Sequence, residues 1–281
     1  MKDTILNFSN INTPLISVIT TVYNGERFIR QTIDSVLNQT FSNFEYIIVD
    51  DGSIDGTVSI IKTIHDPRIR FYEAGRIGRG NVLNLGLHKA KGEYIAIQDA
   101  DDISHPERLK IQLNIMQETE DNIALGTDVI RISAHQAIDL ASLPPVDTIK
   151  PKIKNVTNHI IYYNPIRHSS TFIARESILK INGYSEKRKN LFDWEMFIRY
   201  VANGGKLYTI SEPLIFKRQH KDQFFENKNR RSYIFSGIRL QYKAAINLKG
   251  NRLILGFLPL LILYRLLPLE LRMLFRNAIG K

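Results

Sequence analysis

Along the first two thirds of the chain, unbroken apolar runs alternate with stretches whose apolar residues recur at helical spacing. "LISVITTVY" (15–23) is continuous and β-branched, the pattern of a strand covered on both faces. "GERFIRQTIDSVLNQT" then sets Phe28, Ile29, Ile33, Val36 and Leu37 at helical spacing. "FEYIIVDDGS" reads as a second buried strand that ends in Asp50 and Asp51, "DGTVSIIKTIH" as a helix, and "RIRFYEA" as a strand. "GRGNVLNLGLHKA" reads as a helix, "EYIAIQ" as a strand, and "HPERLKIQLNIMQ" as a helix with Pro106 suited to its first position. This alternation predicts an α/β fold with a doubly wound, mainly parallel sheet. Such sheets bind ligands at the carboxyl ends of their strands, where Tyr23, Asp51 and Asp99–Asp102 fall.

Further on, "IALGTDVIRI" predicts a strand, and 133–167, with Pro144 and Pro145, a long loop with little regular structure. "SSTFIARESILKINGY" reads as strand then helix, and "FDWEMFIRYVANGG" as a helix closed by Gly204 and Gly205. "KLYTISEPLIFKRQH" reads as extended. The alternation stops near residue 225, so the expected organisation is an α/β domain over 1–225 and a helical appendage over 226–281.

Charge sharpens that division. The net charge is +10, but 226–281 holds 11 Lys and Arg against only Glu226 and Glu270, and therefore nine of those ten charges. The same segment carries the most apolar run, "LILGFLPLLILYRLLPLELRMLF". Basic and apolar together point to an anionic membrane surface, not to nucleic acid. Leu253–Tyr264, interrupted by Gly256 and Pro259, falls short of the roughly 20 residues a membrane span requires. From Pro268 to Gly280 the punctuation is helical, with Leu271, Leu274, Phe275 and Ala278 on one face and Arg272 and Arg276 on another. That is an in-plane amphipathic helix, with a packing or dimerisation element as its alternative. There is no cysteine, which excludes disulfides and thiolate metal sites and fits a reducing compartment. "MKDTILNFSN" has no apolar core or cleavage site, so no signal peptide is expected.

The chemistry concentrates in "YIAIQDADDISHPERL" (94–109), where a buried strand ends in Asp99, Asp101 and Asp102. Like charges a few ångströms apart repel, and burial adds to the cost. Neither G-x-G-x-x-G nor the phosphate-loop pattern is present, so a divalent cation on carboxylates is the remaining common way to hold a phosphate-bearing ligand. Mg2+ and Mn2+ suit such oxygen ligands. The alternative is that the aspartates cap turns or the next helix, with Gly52 making a turn after Asp50–Asp51. His105, just before Pro106, is expected to start the helix and not to bind a ligand.

Taken in order, "PLISVITTVYNGERFIRQTIDSVLNQTFSNFEYIIVDDGSIDGT", "GRGNVLNLGLHKAKGEYIAIQDADDISHPERL", "HSSTFIARESILKINGY" and "FDWEMFIRYVANGG" resemble the family 2 glycosyltransferases of GT-A fold over about residues 14–220. The resemblance implies that Thr21 and Tyr23 line a nucleotide base pocket and that Asp51 accepts from a base N–H, typically of uracil. It implies that Arg79 lies by the nucleotide, that Asp99 sits near ribose and metal, that Asp101 is the main metal ligand, and that Asp102 supports it. It makes Asp193 the general base, with Phe192 in place of the family's usual acid, a departure that removes a neighbouring charge. "KRQH" (217–220) matches a basic segment that in relatives reaches the diphosphate, the alternative being a solvated charge cluster. Glu195 and Trp194 are expected to be structural. His168 and Ser169 fit either the acceptor side or a strand start.

The resemblance implies an inverting, metal-dependent transfer of one sugar from a nucleotide-sugar, UDP-linked by family leaning. The acceptor would be a glycan or lipid-linked glycan hydroxyl in surface polysaccharide synthesis. The enzyme would be cytoplasmic and peripheral at the inner face of the membrane, with oligomerisation left open. Two other readings stand beside it: a sugar-nucleotide nucleotidyltransferase, whose Gly-rich, Arg-containing first loop is missing after "VITTVY", and a non-catalytic sugar-binding protein at the membrane surface.

Overall fold

The structure, a computed structural model, describes residues 13–119, 122–143, 146, 151–220 and 230–248. Four strands, β1 (Ile16–Val22), β2 (Phe44–Asp50), β3 (Ile69–Glu73) and β4 (Tyr94–Ile97), form a parallel half-sheet in the order β3-β2-β1-β4. Helices α1 (Ile29–Leu37), α2 (Thr57–Lys62) and α3 (Arg79–Lys89) connect them. Every residue of β2 is buried, as its unbroken apolar pattern requires.

Successive side chains on β1 and β2 go to opposite layers. Ile16, Val18, Tyr46 and Ile48 pack with Ile29, Ile33 and Val36 of α1. Ile19, Ile47 and Val49 pack with Val82, Leu83 and Leu87 of α3. The predicted double winding is thus present, with one hydrophobic layer on each face of the sheet.

Past β4 the sheet becomes mixed. It continues through β8 (Phe172–Ala174), β6 (Ile123–Ser133), β9 (Lys206–Gln219) and β5 (Ile103–Ser104), with β7 (Ile153–Asn155) also on β9. β8 is antiparallel to both β4 and β6, β6 is parallel to β9, and β5 and β7 are antiparallel to β9. β5 has only two residues, too few to show a period in the sequence. Its pairing of Ile103 with Phe216 ties the loop of three aspartates to the end of β9.

The 133–167 region holds more structure than its composition predicts. Besides β7 it contains 3-10 turns at Leu140–Ser142 and Thr157–Ile161, and Ile160 and Ile161 enter the core. Helix α4 (Arg108–Glu118) lies under the first layer, α5 (Arg175–Lys180) follows β8, and α6 (Phe192–Ala202) carries "FDWEMF". Past residue 225 the described residues form one helix, α7 (Arg230–Asn247). Leu240, Ala244 and Ala245 of α7 are buried in the cluster that contains Trp194, Phe197 and Tyr200 of α6. The amphipathic helix expected over Pro268–Gly280 lies outside the described residues.

One buried cation braces the catalytic edge from below. Arg108 is fully buried and donates to Oε1 of Gln112 (2.9 Å), Oε1 of Gln98 (2.9 Å), Oγ of Ser104 (3.0 Å) and the carbonyl of Ile97 (2.8 Å). Truncating such a group leaves several buried acceptors unpaired. Arg108→Met is therefore expected to cost about 3–5 kcal/mol of stability, read as a lower denaturation midpoint. A loss below about 1 kcal/mol would show that the network is not a structural support.

Candidate active site

Five segments meet at the carboxyl ends of β1, β2 and β4. At the first, Asp50 and Asp51 face different partners. Asp50 makes the turn, its Oδ2 accepting from the N–H of Gly52 (3.0 Å) and Ser53 (2.9 Å). Gly52 has φ +74° and an added Cβ would lie 2.8 Å from the backbone N of Arg76, so no other residue fits that turn without strain. Asp51 faces the loop after β3: its Oδ1 accepts from the N–H of Ile77 (2.9 Å) and Gly78 (2.7 Å), and its Oδ2 pairs with Arg76. A carboxylate has about four acceptor sites, so these three bonds leave room for one more donor. The Arg76 guanidinium lies 3.6 Å from the centroid of the Tyr23 ring, and Tyr23 is 43% exposed. Thr21, at the level of Val49 on β2, lies half-buried beside it.

The second segment is the aspartate loop. Asp99, Asp101 and Asp102 each offer a carboxylate oxygen, and these oxygens lie within 4.8 Å of one another. Each carboxylate already has a basic partner. Asp99 Oδ1 accepts from Nη2 of Arg79 (2.6 Å) and lies 3.0 Å from Nδ1 of His168. Asp101 Oδ2 lies 2.9 Å from Nε2 of His220. Asp102 is wholly buried; its Oδ1 accepts from the N–H of Arg218 (3.1 Å) and its Oδ2 faces Nζ of Lys217 at 3.5 Å.

The electrostatics differ sharply between neighbours. Burial would raise the Asp99 carboxyl, but Arg79 and His168, with Lys217 behind them, hold it well below the usual carboxylate range. Burial dominates at Asp102: opposed by Lys217 and reinforced by Asp101 and Asp99, it pushes that carboxyl up to about 7. At Lys217 burial works against the charge, yet Asp102, Asp99 and Asp101 together raise the ammonium above its ordinary value.

Basic segment 217–220 therefore faces the aspartates. Arg218 is buried and donates to Oε1 of Gln31 and to the carbonyls of Ala134 (3.3 Å) and Gln136 (3.1 Å). His220 packs on Phe28, with ring centroids 4.7 Å apart. These contacts clamp the end of β9 to the start of α1. His105 behaves as expected at the start of α4, its Nδ1 accepting from the N–H of Glu107 (3.2 Å).

Asp193 stands in the first turn of α6, and its Oδ2 accepts from the amide of Asn164 (2.8 Å). The residue just before the helix, Leu191, has φ +52°, a left-handed start that turns the chain into it. Phe192 is buried, with the Arg79 guanidinium 5.0 Å from its ring centroid and the rings of His168 (5.6 Å) and Tyr184 (6.1 Å) edge-on to it. Glu195 pairs with Arg199 (2.9 Å), and Arg199 also donates to the carbonyl of Gly183 (2.7 Å). Trp194 is buried and donates to the carbonyl of Ile160 (2.8 Å). Both residues are structural, as expected.

The residues missing from the sequence reading are Arg76, Arg108, Asn164 and Tyr184. Arg76 and Arg108 resemble ordinary surface basics in sequence, and Asn164 lies in the irregular region, so none carried a signal. Tyr184 follows Asn182 and Gly183, both with positive φ, in a turn that "INGY" does announce.

Comparisons with known proteins agree with this geometry. The family described as "Glycosyl transferase family 2" matches residues 17–180. The chain is 29% identical over 269 residues to the "Putative glycosyltransferase EpsE" of Bacillus subtilis, covering 90% of this chain and 92% of that protein. It is 32% identical over 237 residues to an uncharacterized glycosyltransferase of Methanocaldococcus jannaschii, covering 82% and 80%. Among solved structures, residues 1–349 of TarS of S. aureus in complex with UDP-GlcNAc align with a TM-score of 0.67 at 19% identity, over 89% of this chain and 72% of that one. The mannosyltransferase PcManGT from Pyrobaculum calidifontis, in complex with GDP-Man and Mn2+, aligns with a TM-score of 0.65 at 18% identity, over 96% and 77%. At such identities the structural likeness speaks to the fold, which is GT-A; the family match and the curated relatives speak to the enzyme class and decide it against the two other readings of the sequence. With the family matched over more than half of its length, the chain belongs to glycosyltransferase family 2 and is a glycosyltransferase.

Proposed function

We propose that this glycosyltransferase moves one sugar, with inversion, from a UDP-sugar to a hydroxyl of a glycan or lipid-linked glycan acceptor in surface polysaccharide synthesis. The observation that carries the reading is the cluster of Asp99, Asp101 and Asp102, ringed by Arg79, His168, Lys217 and His220 and approached by the Asp193 helix. A nucleoside diphosphate leaving group is anionic, and this edge gathers both the cations and the carboxylates needed to hold it.

In this reading the base stacks against Tyr23 and donates an N–H to the remaining acceptor site of Asp51, while Thr21 closes the pocket floor. Two of the relatives' structures support a nucleotide-sugar donor, one holding UDP-GlcNAc and the other GDP-Man with Mn2+. The three carboxylates fit a hard divalent cation, Mn2+ or Mg2+. They supply only oxygens, their ligand atoms lie within 4.8 Å of one another, and the carboxyl of Asp102 is raised by repulsion from Asp101 and Asp99 as well as by burial, a cost that a cation offsets. Asp101, whose side chain at 27% is the most exposed of the three, would anchor it, with Asp99 and Asp102 in support. When bound, such an ion would stabilise the negative charge that develops on the departing diphosphate.

The chain's own groups do the rest. Lys217 and Arg79 add positive charge around the leaving group. Asp193 takes the proton from the acceptor hydroxyl as that oxygen attacks the anomeric carbon from the face opposite the diphosphate. A single in-line displacement needs one base and inverts the centre. Asn164 binds only Oδ2 of Asp193, which leaves the other oxygen for the proton.

No helix among the described residues is long and apolar enough to cross a membrane. The proposed attachment is peripheral, through the basic and apolar 249–281 segment. α7 supports it by exposing Phe235 (52%), Tyr242 (51%) and Ile246 (44%) along one helical stripe with Arg239. Each basic residue near an anionic leaflet contributes about 1 kcal/mol, reduced by salt.

Three outcomes are expected. Asp101→Ala should abolish Mn2+-dependent binding of UDP in calorimetry, and wild-type affinity in a folded variant would remove the carboxylate anchor from the reading. Asp193→Asn should leave UDP affinity nearly unchanged and lower turnover on a true acceptor by about 10²–10⁴-fold; near-full transfer would exclude Asp193 as the base. Truncation after Leu248, a cut that spares the buried face of α7, should reduce sedimentation with anionic liposomes at least tenfold while donor hydrolysis persists. Indifference of the full-length protein to such liposomes at low salt would refute membrane attachment.

A further inference from the structure

His168 sits at the junction of the two halves of this site and is buried. It is held in a 3-10 turn (His168–Ser170) that leads into β8, the N–H of Thr171 donating to its carbonyl at 3.1 Å. Its Nδ1 lies 3.0 Å from Oδ1 of Asp99, and its Nε2 lies 3.1 Å from the hydroxyl of Tyr184. Phe192 closes the ring edge-on at 5.6 Å. Both nitrogens are thus occupied, one toward the aspartate cluster and one toward the layer beneath α6.

The chemistry of the two partners orders the protons. An ionised carboxylate only accepts, and Arg79 at 2.6 Å keeps Asp99 ionised. Nδ1 must therefore carry a proton and donate to Asp99. Tyr184 is buried, and burial, aided by Asp193 and Asp99, keeps its phenol protonated, so its hydroxyl holds Nε2 by a hydrogen bond at 3.1 Å. The result is a hydrogen-bonded chain that links Tyr184, His168 and Asp99. Tyr184 is itself fixed, since the side-chain amide of Asn84 donates to its carbonyl (2.9 Å) and accepts from its N–H (2.8 Å). Gly183, at φ +56°, packs so tightly that an added Cβ would lie 2.5 Å from Oδ1 of the same Asn84.

The consequence falls on Asp99. Arg79 and His168 both engage Oδ1, and among the described residues no hydrogen bond reaches Oδ2. We propose that His168 is a positioning residue for the metal cluster: by fixing Oδ1 of Asp99 it sets the rotation of that carboxylate, so that Oδ2 is presented to the ion shared with Asp101 and Asp102. Tyr184 supports the same orientation one bond further out. Phe192 takes part as well: an acid in its place would set a second acceptor against the imidazole and compete with Asp99 for its proton. The inference rests on the reading of the three aspartates as a metal site, and it predicts that binding of the ion depends on a side chain that does not touch it.

The test uses full-length protein and Mn2+ alone, with free Mn2+ followed by electron paramagnetic resonance and folding followed by thermal melting. His168→Ala is expected to weaken Mn2+ binding about 10–100-fold, the usual effect of losing a group that orients a ligand. His168→Asn, whose amide N–H reaches the place of Nδ1, should restore most of that loss, which a purely structural role would not do. Tyr184→Phe, which keeps the Asp99 contact, should fall between the two. Wild-type Mn2+ affinity in folded His168→Ala, alongside lost binding in Asp101→Ala, would overturn the role of His168 and leave the metal site standing. Absence of Mn2+ binding by the wild-type protein would instead overturn the metal reading. If His168→Ala does not fold, His168→Asn decides: near-wild-type affinity supports the proposal, and affinity as low as that of Asp101→Ala overturns it.

Discussion

Three carboxylates with oxygens within 4.8 Å of one another at the end of a buried strand form the constraint around which the rest of this molecule is arranged. Two unit charges 4 Å apart repel by about 4 kcal/mol at an effective dielectric of 20. Unopposed, three such pairs would use up much of the stability of an ordinary domain. The fold answers with basic side chains from four directions: Arg79 from the start of α3, His168 from before β8, Lys217 and His220 from the end of β9, and Arg108 from beneath. An ion pair that holds a charge where it is costly adds little net stability. Its yield here is a site in which three acids stand together.

That requirement gives a reason for the mixed half of the sheet. The parallel strands place Asp51 and Asp99–Asp102 at one edge but carry few cations there themselves. β9 enters the sheet parallel to β6 and pairs antiparallel with β5, and so delivers Lys217, Arg218 and His220 opposite the aspartates. Its end is clamped by Arg218 on Gln31 and by His220 on Phe28. The two-residue β5 is small in extent but sets the register of the whole charge array.

Phe192 shows how a departure from the family pattern is absorbed. The position before Asp193 holds an aromatic ring in place of an acid. Arg79 lies over the Phe192 ring and gives its hydrogen bond to Asp99. The same ring walls His168 and Tyr184 from water. The two carboxylates therefore have separate partners, Asp99 pairing with Arg79 and His168 and Asp193 accepting from Asn164.

Local pattern was enough to read the strand–helix alternation, the placing of Asp51, Asp99, Asp101, Asp102 and Asp193 at element ends, and the structural roles of Glu195 and Trp194. Each of these follows from a period of two or 3.6, or from a short run of residues whose chemistry acts on its neighbours in sequence. The antiparallel insertion of β8 and the pairing of β5 with β9 had no such signature, because a strand of two or three residues has no period and its partners lie far away in sequence. The identity of each carboxylate's counter-charge was equally hidden, since Arg79, His168, Lys217 and His220 are ordinary polar residues until the sheet closes. Sequence by itself determined that an acidic strand end needed positive charge. Only the tertiary structure decided which residues supply it, because Coulomb attraction depends on distance in space, and that distance is set by how the strands pair.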